Sequence, residues 1–101
     1  MESNQVINHA ELSRFEVLTP DGVGFLTYKQ RGNRFALIHT EVPEALAGRG
    51  IGAMLAKAGL DYARDNGLGV IVICPFVRAY IKRHPEYAGI VVKGLEQPEA
   101  N

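Results

Sequence analysis

Three glycines stand on alternate residues in the segment AGRGIGAML, where a helical pattern begins: Gly48, Gly50 and Gly52. Glycine has no Cβ atom, so backbone N–H groups in such a segment can approach a ligand closely. The N-terminus of the following helix adds about half a positive charge, and Arg49 lies within the cluster. This combination suits a phosphate or pyrophosphate group. The alternative is that the glycines only form a flexible start to the helix.

Two common phosphate-binding patterns do not match this segment. A Walker P-loop requires Gly-Lys-Ser or Gly-Lys-Thr, and a dinucleotide site requires G-x-G-x-x-G after a short strand, with an acidic residue about 20 residues later. Residues 48–52 match neither pattern. A phosphate site here would therefore be of another kind.

Cys74 is the single cysteine of the chain and ends an apolar run. Pro75 predicts the first turn of a helix at this point, and a helix N-terminus favours the thiolate form of a nearby thiol. Three roles stay open for Cys74, namely a nucleophile, a redox-sensitive thiol, or an inert packing residue. A single cysteine forms no intramolecular disulfide, and the scattered His9, His39 and His84 do not complete a metal site.

The N-terminal part of the chain must supply the sheet that positions these residues. β-branched and aromatic segments predict an antiparallel meander over the first 42 residues, with turns at 19–24 and 31–33. Its last strand is RFALIHTEV at 34–42. Side chains alternate along a strand, so His39 and Glu41 are expected to point to the same side.

The remaining elements are two helices and two strands. Apolar residues at i, i+3, i+4, i+7 and i+11 predict a helix at 50–66, and the run 68–74 predicts a buried strand parallel to an earlier one. A second helix is predicted to begin at Pro75, with either Phe76 or Val77 facing inward beside two later apolar residues. The segment YAGIVVKGL at 87–95 is expected to form a last edge strand.

Composition restricts the class of protein. The chain has 101 residues, of which 47% are hydrophobic and 22% charged, so one globular domain is expected at 1–94, with a flexible tail at 95–101. Eleven basic and eleven acidic residues cancel, so no nucleic acid or membrane partner is expected. The longest apolar run is far shorter than the ~20 residues of a membrane span, and no secretory signal is evident. We expect a cytoplasmic protein.

The order of these features resembles the GNAT acyltransferase superfamily. AGRGIGAML is similar to motif A of that family, Q/R-x-x-G-x-G/A, whose backbone amides hold the pyrophosphate of coenzyme A. Gly50 and Gly52 match the motif, whereas Ala47 stands where the motif has Gln or Arg. With HTEVP before it and CPFVRAYIKRHPEY after it, the segment 35–87 resembles the very small, single-domain GNAT-like proteins. The resemblance implies an α+β fold, a mostly antiparallel sheet with a strand-helix-strand-helix coenzyme-binding core.

The resemblance also implies an activity and assigns roles to residues. It implies an acetyl-CoA-dependent N-acetyltransferase without a metal, which acts on an amine of a small molecule or peptide. Glu41 or His39 would be the base, Tyr80 the acid for the leaving thiolate, and Cys74 would lie where the coenzyme thiol enters. Packing or ordering roles stay open for each of these four. The coenzyme would bind along the strand end and the glycine segment, at Thr40, Val42, Gly48, Arg49, Gly50, Ile51, Gly52 and Ala53.

Three points stay open at the level of sequence. A non-catalytic acyl-CoA-binding module that regulates or scaffolds a partner would need the same coenzyme site. The basic residues of the second helix, at 78–84, predict either a solvated face or a contact with the coenzyme's adenosine phosphate. Larger relatives build acceptor pockets from helices that are absent here, so the acceptor site is expected to be open, completed by a partner, or suited to an exposed amine. Neither the acceptor nor the oligomeric state is indicated.

Overall fold

A five-stranded mixed sheet dominates the computed structural model, which describes residues 5–92. The strands follow one another in chain order across the sheet, the first four antiparallel and the fifth parallel to the fourth. This arrangement confirms the predicted α+β class and the predicted parallel strand. The strands are β1 (Val6–His9), β2 (Arg14–Thr19), β3 (Gly22–Arg31), β4 (Arg34–Glu41) and β5 (Gly69–Val72).

Two helices link and follow the last pair of strands. Helix α1 spans Ile51–Asp65 and helix α2 spans Pro75–Arg83, which confirms both predicted helices. Gly67 has φ +67°, as expected for a glycine that ends a helix in the left-handed region. The described part of the chain also contains three short 3₁₀-helices, at Ala10–Leu12, Glu44–Leu46 and Pro85–Ile90. Neither α-helix within residues 5–92 is long and apolar enough to cross a bilayer.

One face of the sheet packs against the helices and forms the core. Large side chains of β2 to β5 are buried there with those of α1, including Phe15, Leu26, Phe35, Leu37, Val70, Leu55 and Leu60. Gly59 lets α1 approach the sheet closely, since a Cβ atom at this position would lie 3.1 Å from the side chain of Leu26. We call the opposite side of the sheet the open face, because no helix of the described part of the chain covers it.

A β-bulge near the end of β4 separates this strand from β5. Thr27 of β3 pairs with His39, but the next residue, Tyr28, pairs with Leu37, so Ile38 is an extra residue. The parallel ladder between β4 and β5 ends at Leu37, whose carbonyl accepts bonds from the backbone N–H groups of both Ile73 and Cys74, each at 3.0 Å. Beyond Leu37, residues 38–41 no longer pair with the chain that leads into α2. We call this break in strand pairing, which a side-chain contact between Thr40 and Cys74 bridges, the opening between β4 and α2.

The predicted last strand at 87–95 is wrong over its described part. Residues Pro85–Ile90 form a 3₁₀-helix, and Val91 makes only an isolated parallel bridge to Val70. The phenol of Tyr87 is buried and donates a hydrogen bond to Asp61 of α1 at 2.5 Å. Anchoring this aromatic side chain to α1 outweighs the β propensity of the segment. Residues 93–95, and the predicted tail at 95–101, lie outside the described residues.

The two alternatives for the inward face of α2 are resolved by burial. Val77 is fully buried, whereas Phe76 is 38% exposed and lies against the N-terminus of α1. Tyr80 is buried and Ile81 is partly buried, as both alternatives required. The inward set is therefore the one that contains Val77.

Candidate functional site

The glycine loop between β4 and α1 has left-handed backbone at two residues. Gly48 has φ +82° and Gly50 has φ +74°, a region that residues with a Cβ atom rarely adopt. A Cβ atom at either glycine would meet no heavy atom within 4 Å. The backbone of the loop therefore depends on glycine at both positions, and the space beside both residues is open to a ligand.

Gly52 is needed for a different reason. It lies in the first turn of α1, where a Cβ atom would be 2.7 Å from the ring of Phe76 in the first turn of α2. The N-termini of the two helices are thus in contact beside the glycine loop. Both helix dipoles present partial positive charge there, which favours an anion.

Arg49 is engaged within the protein. Its Nη2 lies 2.9 Å from Oδ2 of Asp21, which belongs to the turn between β2 and β3. Both side chains are exposed, and such surface ion pairs contribute only about 0–1 kcal/mol. The pair connects the glycine loop to this turn. Because breaking it costs little free energy, a phosphate could compete with Asp21 for the guanidinium.

His39 and Glu41 form a pair at the C-terminal end of β4. His39 Nε2 lies 3.0 Å from Glu41 Oε1, and the two side chains are 59% and 58% exposed. Their cross-strand partners are Thr27 and Phe25, so both point to the open face. The expected shared orientation is confirmed, and the pair can hold a proton between an imidazole and a carboxylate. The role of either residue as a base stays a prediction.

Thr40 and Cys74 meet on the other side of β4. Thr40 Oγ1 lies 3.3 Å from Cys74 Sγ, and Cys74 is 2% exposed and is the N-cap of α2. The family resemblance implies that Thr40 contacts the coenzyme, but it does not predict this contact. The two residues are 34 positions apart. The alternation of side chains along β4 indicates only that Thr40 points to the opposite face from His39. The thiol therefore has a hydroxyl partner at the opening between β4 and α2.

Tyr80 of α2 packs between α1 and the last 3₁₀-helix. It is 5% exposed, its ring stacks on His84 with centroids 4.1 Å apart, and Tyr87 lies 6.2 Å away. Burial raises the pKa of the Tyr80 phenol above its ordinary value, and the charges of Lys57 and Asp61 on α1 also act on it. The phenol therefore stays protonated at neutral pH. These surroundings support the packing role, and the role of acid stays a prediction.

The basic residues of α2 have separate surroundings. Arg78 Nη2 donates to the carbonyl of Val72 at 2.7 Å, which covers the outer edge of β5. Lys82 and Arg83 are exposed in the last turn of α2, where cations interact favourably with the helix dipole. This geometry favours the solvated helix face. Within residues 5–92, no group of three or more His, Cys, Asp or Glu side chains is placed to hold a metal ion.

Comparisons with known proteins concern most of the chain. The model of the GCN5-related N-acetyltransferase family matches residues 14–90. Protein NATD1 from Gallus gallus and from Homo sapiens is 43% identical over 61 residues, which is 59% of this chain and 56% and 54% of those proteins. NATD1 from Danio rerio is 38% identical over 65 residues, which is 59% of its length. The chain thus spans little more than half the length of these curated relatives.

A solved structure has the same fold. It is the solution NMR structure of a GCN5-like protein from Staphylococcus aureus, provisionally described as an N-acetyltransferase, which superposes with a TM-score of 0.69. The superposition covers 98% of this chain and 100% of the other, at 22% sequence identity. At this identity the likeness concerns the fold, and it supports the arrangement of sheet and helices described above.

Proposed function

This chain belongs to the GCN5-related N-acetyltransferase family, and we propose that it transfers an acetyl group from acetyl-CoA to an amine. The observation that carries the proposal is the position of the opening between β4 and α2. The opening begins at Leu37, where the parallel ladder ends, and the glycine loop and two helix N-termini lie at the same end of the sheet. Family membership supports acyl transfer in general, whereas acetyl-CoA as the donor and an amine as the acceptor are our proposal.

The residues at this end of the sheet fit coenzyme A. The pyrophosphate would face the open space beside Gly48 and Gly50 and the backbone N–H groups of the first turn of α1, including Ala53. Ile51 is 1% exposed, so it would contribute its backbone and not its side chain. The pantetheine chain would pass along the end of β4, at Thr40 and Val42. Acetyl-CoA, when bound, would supply an acetyl group activated as a thioester.

The His39–Glu41 pair would prepare the acceptor. An amine must be neutral to attack a thioester carbonyl, and an exposed base can accept its proton and release it to solvent. Because Glu41 lies 3.0 Å from His39 Nε2, the carboxylate would stabilise the imidazolium that forms when His39 accepts a proton. The acceptor would approach from the open face, to which both side chains point.

Cys74 and Thr40 offer a second route on the other side of β4. In this route the Cys74 thiol would lose its proton, form a thioester with the acetyl group, and later release that group to the amine. The expelled coenzyme thiolate would take up a proton. The hydroxyl of Thr40, 3.3 Å from Cys74 Sγ, would donate to the thiolate. Cys74→Ala separates the routes, because direct attack by the amine retains turnover and the covalent route loses it.

The activity is tested by following release of coenzyme A and acetylation of an amine by chromatography and mass spectrometry. We expect release to accelerate when a suitable amine is added to the protein and acetyl-CoA. His39→Gln combined with Glu41→Gln should lower the rate at neutral pH by at least tenfold while acetyl-CoA still binds. An unchanged rate in this double variant would contradict the role of the pair.

A non-catalytic acyl-CoA-binding module is the second candidate. It is favoured by the packing of Tyr80, which is buried and stacks on His84. Such a module would bind acetyl-CoA, but no amine of a broad panel would accelerate the release of coenzyme A.

A further inference from the structure

Three basic side chains surround a hollow at the far end of the open face. Lys29 and Arg31 of β3 and Arg34 of β4 line a space of ≈ 230 Å³, whose apolar lining is Ala36 and Ile71. We call Lys29, Arg31 and Arg34 the hairpin cations, because they flank the turn between β3 and β4. They share the open face with the His39–Glu41 pair and belong to no part of the site described above.

The hairpin cations lack acidic partners among the described residues. No carboxylate of residues 5–92 lies within 4.0 Å of them, whereas four other basic residues of the same part have one: Arg14, Arg49, Lys57 and Arg64. Arg31 and Arg34 are moreover direct cross-strand partners. Like charges placed opposite each other in a sheet are destabilising, so the arrangement favours binding of an anion.

The sheet register aligns the hairpin cations with the proposed acceptor site. Alternate residues of β3 point to the open face, and their partners on β4 run from Glu41 and His39 at one end to Arg34 at the other. His39 lies five positions after Arg34 in β4, which corresponds to about 15 Å in a strand. One end of this path is thus positively charged, and the other end carries the Glu41 carboxylate.

We propose that the acceptor is an acidic peptide that lies extended over β3 and β4, with its amine at His39 and Glu41. Its Asp or Glu side chains, about four to six residues from the amine, bind the hairpin cations. A small amine is too short to reach both ends of the path, whereas an extended peptide rises by about 3.3 Å per residue. The inference rests on the proposed function for the amine end, and the contact with the hairpin cations can be measured separately.

The probe is the amidated heptapeptide Gly-Ser-Gly-Ser-Glu-Glu-Glu with a free N-terminus, compared with the same peptide carrying Gln in place of Glu. A third peptide, with Lys first and an acetylated N-terminus, distinguishes a side-chain amine from an N-terminal one. Binding is followed by NMR titration without acetyl-CoA, at low and at physiological salt. We expect both acidic peptides to shift the amide signals of the hairpin cations and the neutral peptide to leave them unchanged.

The variant Arg31→Gln with Arg34→Gln should weaken binding of the acidic heptapeptide at least tenfold. Lys82→Gln with Arg83→Gln is the matched control, because it removes the same charge from the exposed end of α2, and it should change the dissociation constant less than twofold. Equal loss in both variants, or equal binding of acidic and neutral peptides, would overturn the proposal. Tighter binding of a single-stranded RNA of equal charge would also overturn it.

Separate titration with acetyl-CoA distinguishes this inference from the proposed function. The Arg31→Gln and Arg34→Gln variant should bind acetyl-CoA as the wild type does, because the altered residues lie at the far end of β4 from the glycine loop. Loss of peptide binding with retained acetyl-CoA binding supports the inference. Acetyl-CoA binding by a protein that does not bind the acidic peptide refutes the inference and leaves the proposed function intact.

Discussion

At the scale of single residues, three glycines that look equivalent in the sequence have two different physical roles. Gly48 and Gly50 adopt left-handed backbone beside open space, whereas Gly52 gives room to the ring of Phe76. The first role could be predicted from the segment itself, because glycine runs before helices favour such conformations. The second could not, because Phe76 is 24 positions away and only the packing of α1 on α2 brings it to Gly52.

Replacement of Gly50 by Asn should weaken acetyl-CoA binding at least tenfold without unfolding the protein. Asn tolerates the left-handed region better than other residues with a Cβ atom, and its side chain would fill the open space of the proposed pyrophosphate site. Calorimetric titration and thermal unfolding measure the two effects. Gly32→Asn is the matched control, since Gly32 also has φ +59° and open space but lies in the β3–β4 turn. Equal affinity in the two variants would contradict the assignment of the loop.

Glu16 should stabilise the fold above mildly acidic pH. It is 6% exposed, and a hydrogen bond from Arg14 at 2.6 Å is the main cause that lowers the pKa of its carboxyl group. A lowered pKa in the folded state gives stability that is present above the unfolded pKa, near 4.5, and is lost as pH falls through the folded value. Glu16→Gln, which removes the negative charge that pairs with Arg14, should lower the free energy of unfolding at pH 7 by about 1–3 kcal/mol.

Urea unfolding at pH 7 and pH 3 measures this contribution. The difference between wild type and Glu16→Gln should shrink at the lower pH, because below the unfolded pKa, near 4.5, the unfolded wild-type chain takes up a proton at Glu16 more readily than the folded one does. Glu11→Gln is a control, since the Glu11 side chain is 91% exposed. A difference that does not depend on pH would show that the charge of Glu16 is not the stabilising feature.

At the scale of elements, β4 determines where a ligand can enter the sheet. Its first half is paired on both sides, and its second half, after the extra residue Ile38, separates from β5. Periodicity and turn residues were sufficient to predict α1, α2 and the parallel strand. They gave no sign of the bulge, because no glycine or proline interrupts RFALIHTEV. They also predicted a strand after α2, where burial of Tyr87 against α1 instead stabilises a 3₁₀-helix.

Arg34→Glu should stabilise the β3–β4 hairpin while it removes the acidic peptide site. The substitution changes a like-charge cross-strand pair with Arg31 into an opposite-charge pair, which is worth roughly 0.2–1 kcal/mol. Thermal unfolding should therefore occur at a slightly higher temperature, and binding of the acidic heptapeptide should fall at least tenfold. Arg34→Gln serves as the intermediate case. A lower melting temperature for Arg34→Glu than for Arg34→Gln would contradict the proposed repulsion.

At the scale of the whole molecule, the formal net charge of zero hides an uneven distribution of charge. Cations without a carboxylate partner in residues 5–92 line the hollow at the β3–β4 hairpin, and the Glu41 carboxylate lies at the other end of the open face. Composition could not predict the charge at either end of the open face, because the net charge is only the sum over all residues. The register of β3 and β4 was needed to place these groups on one face.

The family match over residues 14–90 and the superposition over 98% of the chain agree on one architecture. The sequence resemblance predicted this architecture because the order strand, glycine loop, helix, strand, helix is itself specific. It could not predict individual side-chain contacts, such as the Thr40 hydroxyl beside the Cys74 thiol, because they join residues that are distant in sequence.

The central claim, that coenzyme A binds at the glycine loop and in the opening beside β4, is tested most directly by NMR titration of ¹⁵N-labelled protein with acetyl-CoA. We predict saturable shifts of the backbone amides of Gly48, Gly50 and Ile51, together with Thr40 in β4. Signals of the hairpin cations should stay in place. Absence of saturable shifts at millimolar acetyl-CoA, or shifts confined to residues away from the loop and β4, would contradict the claim.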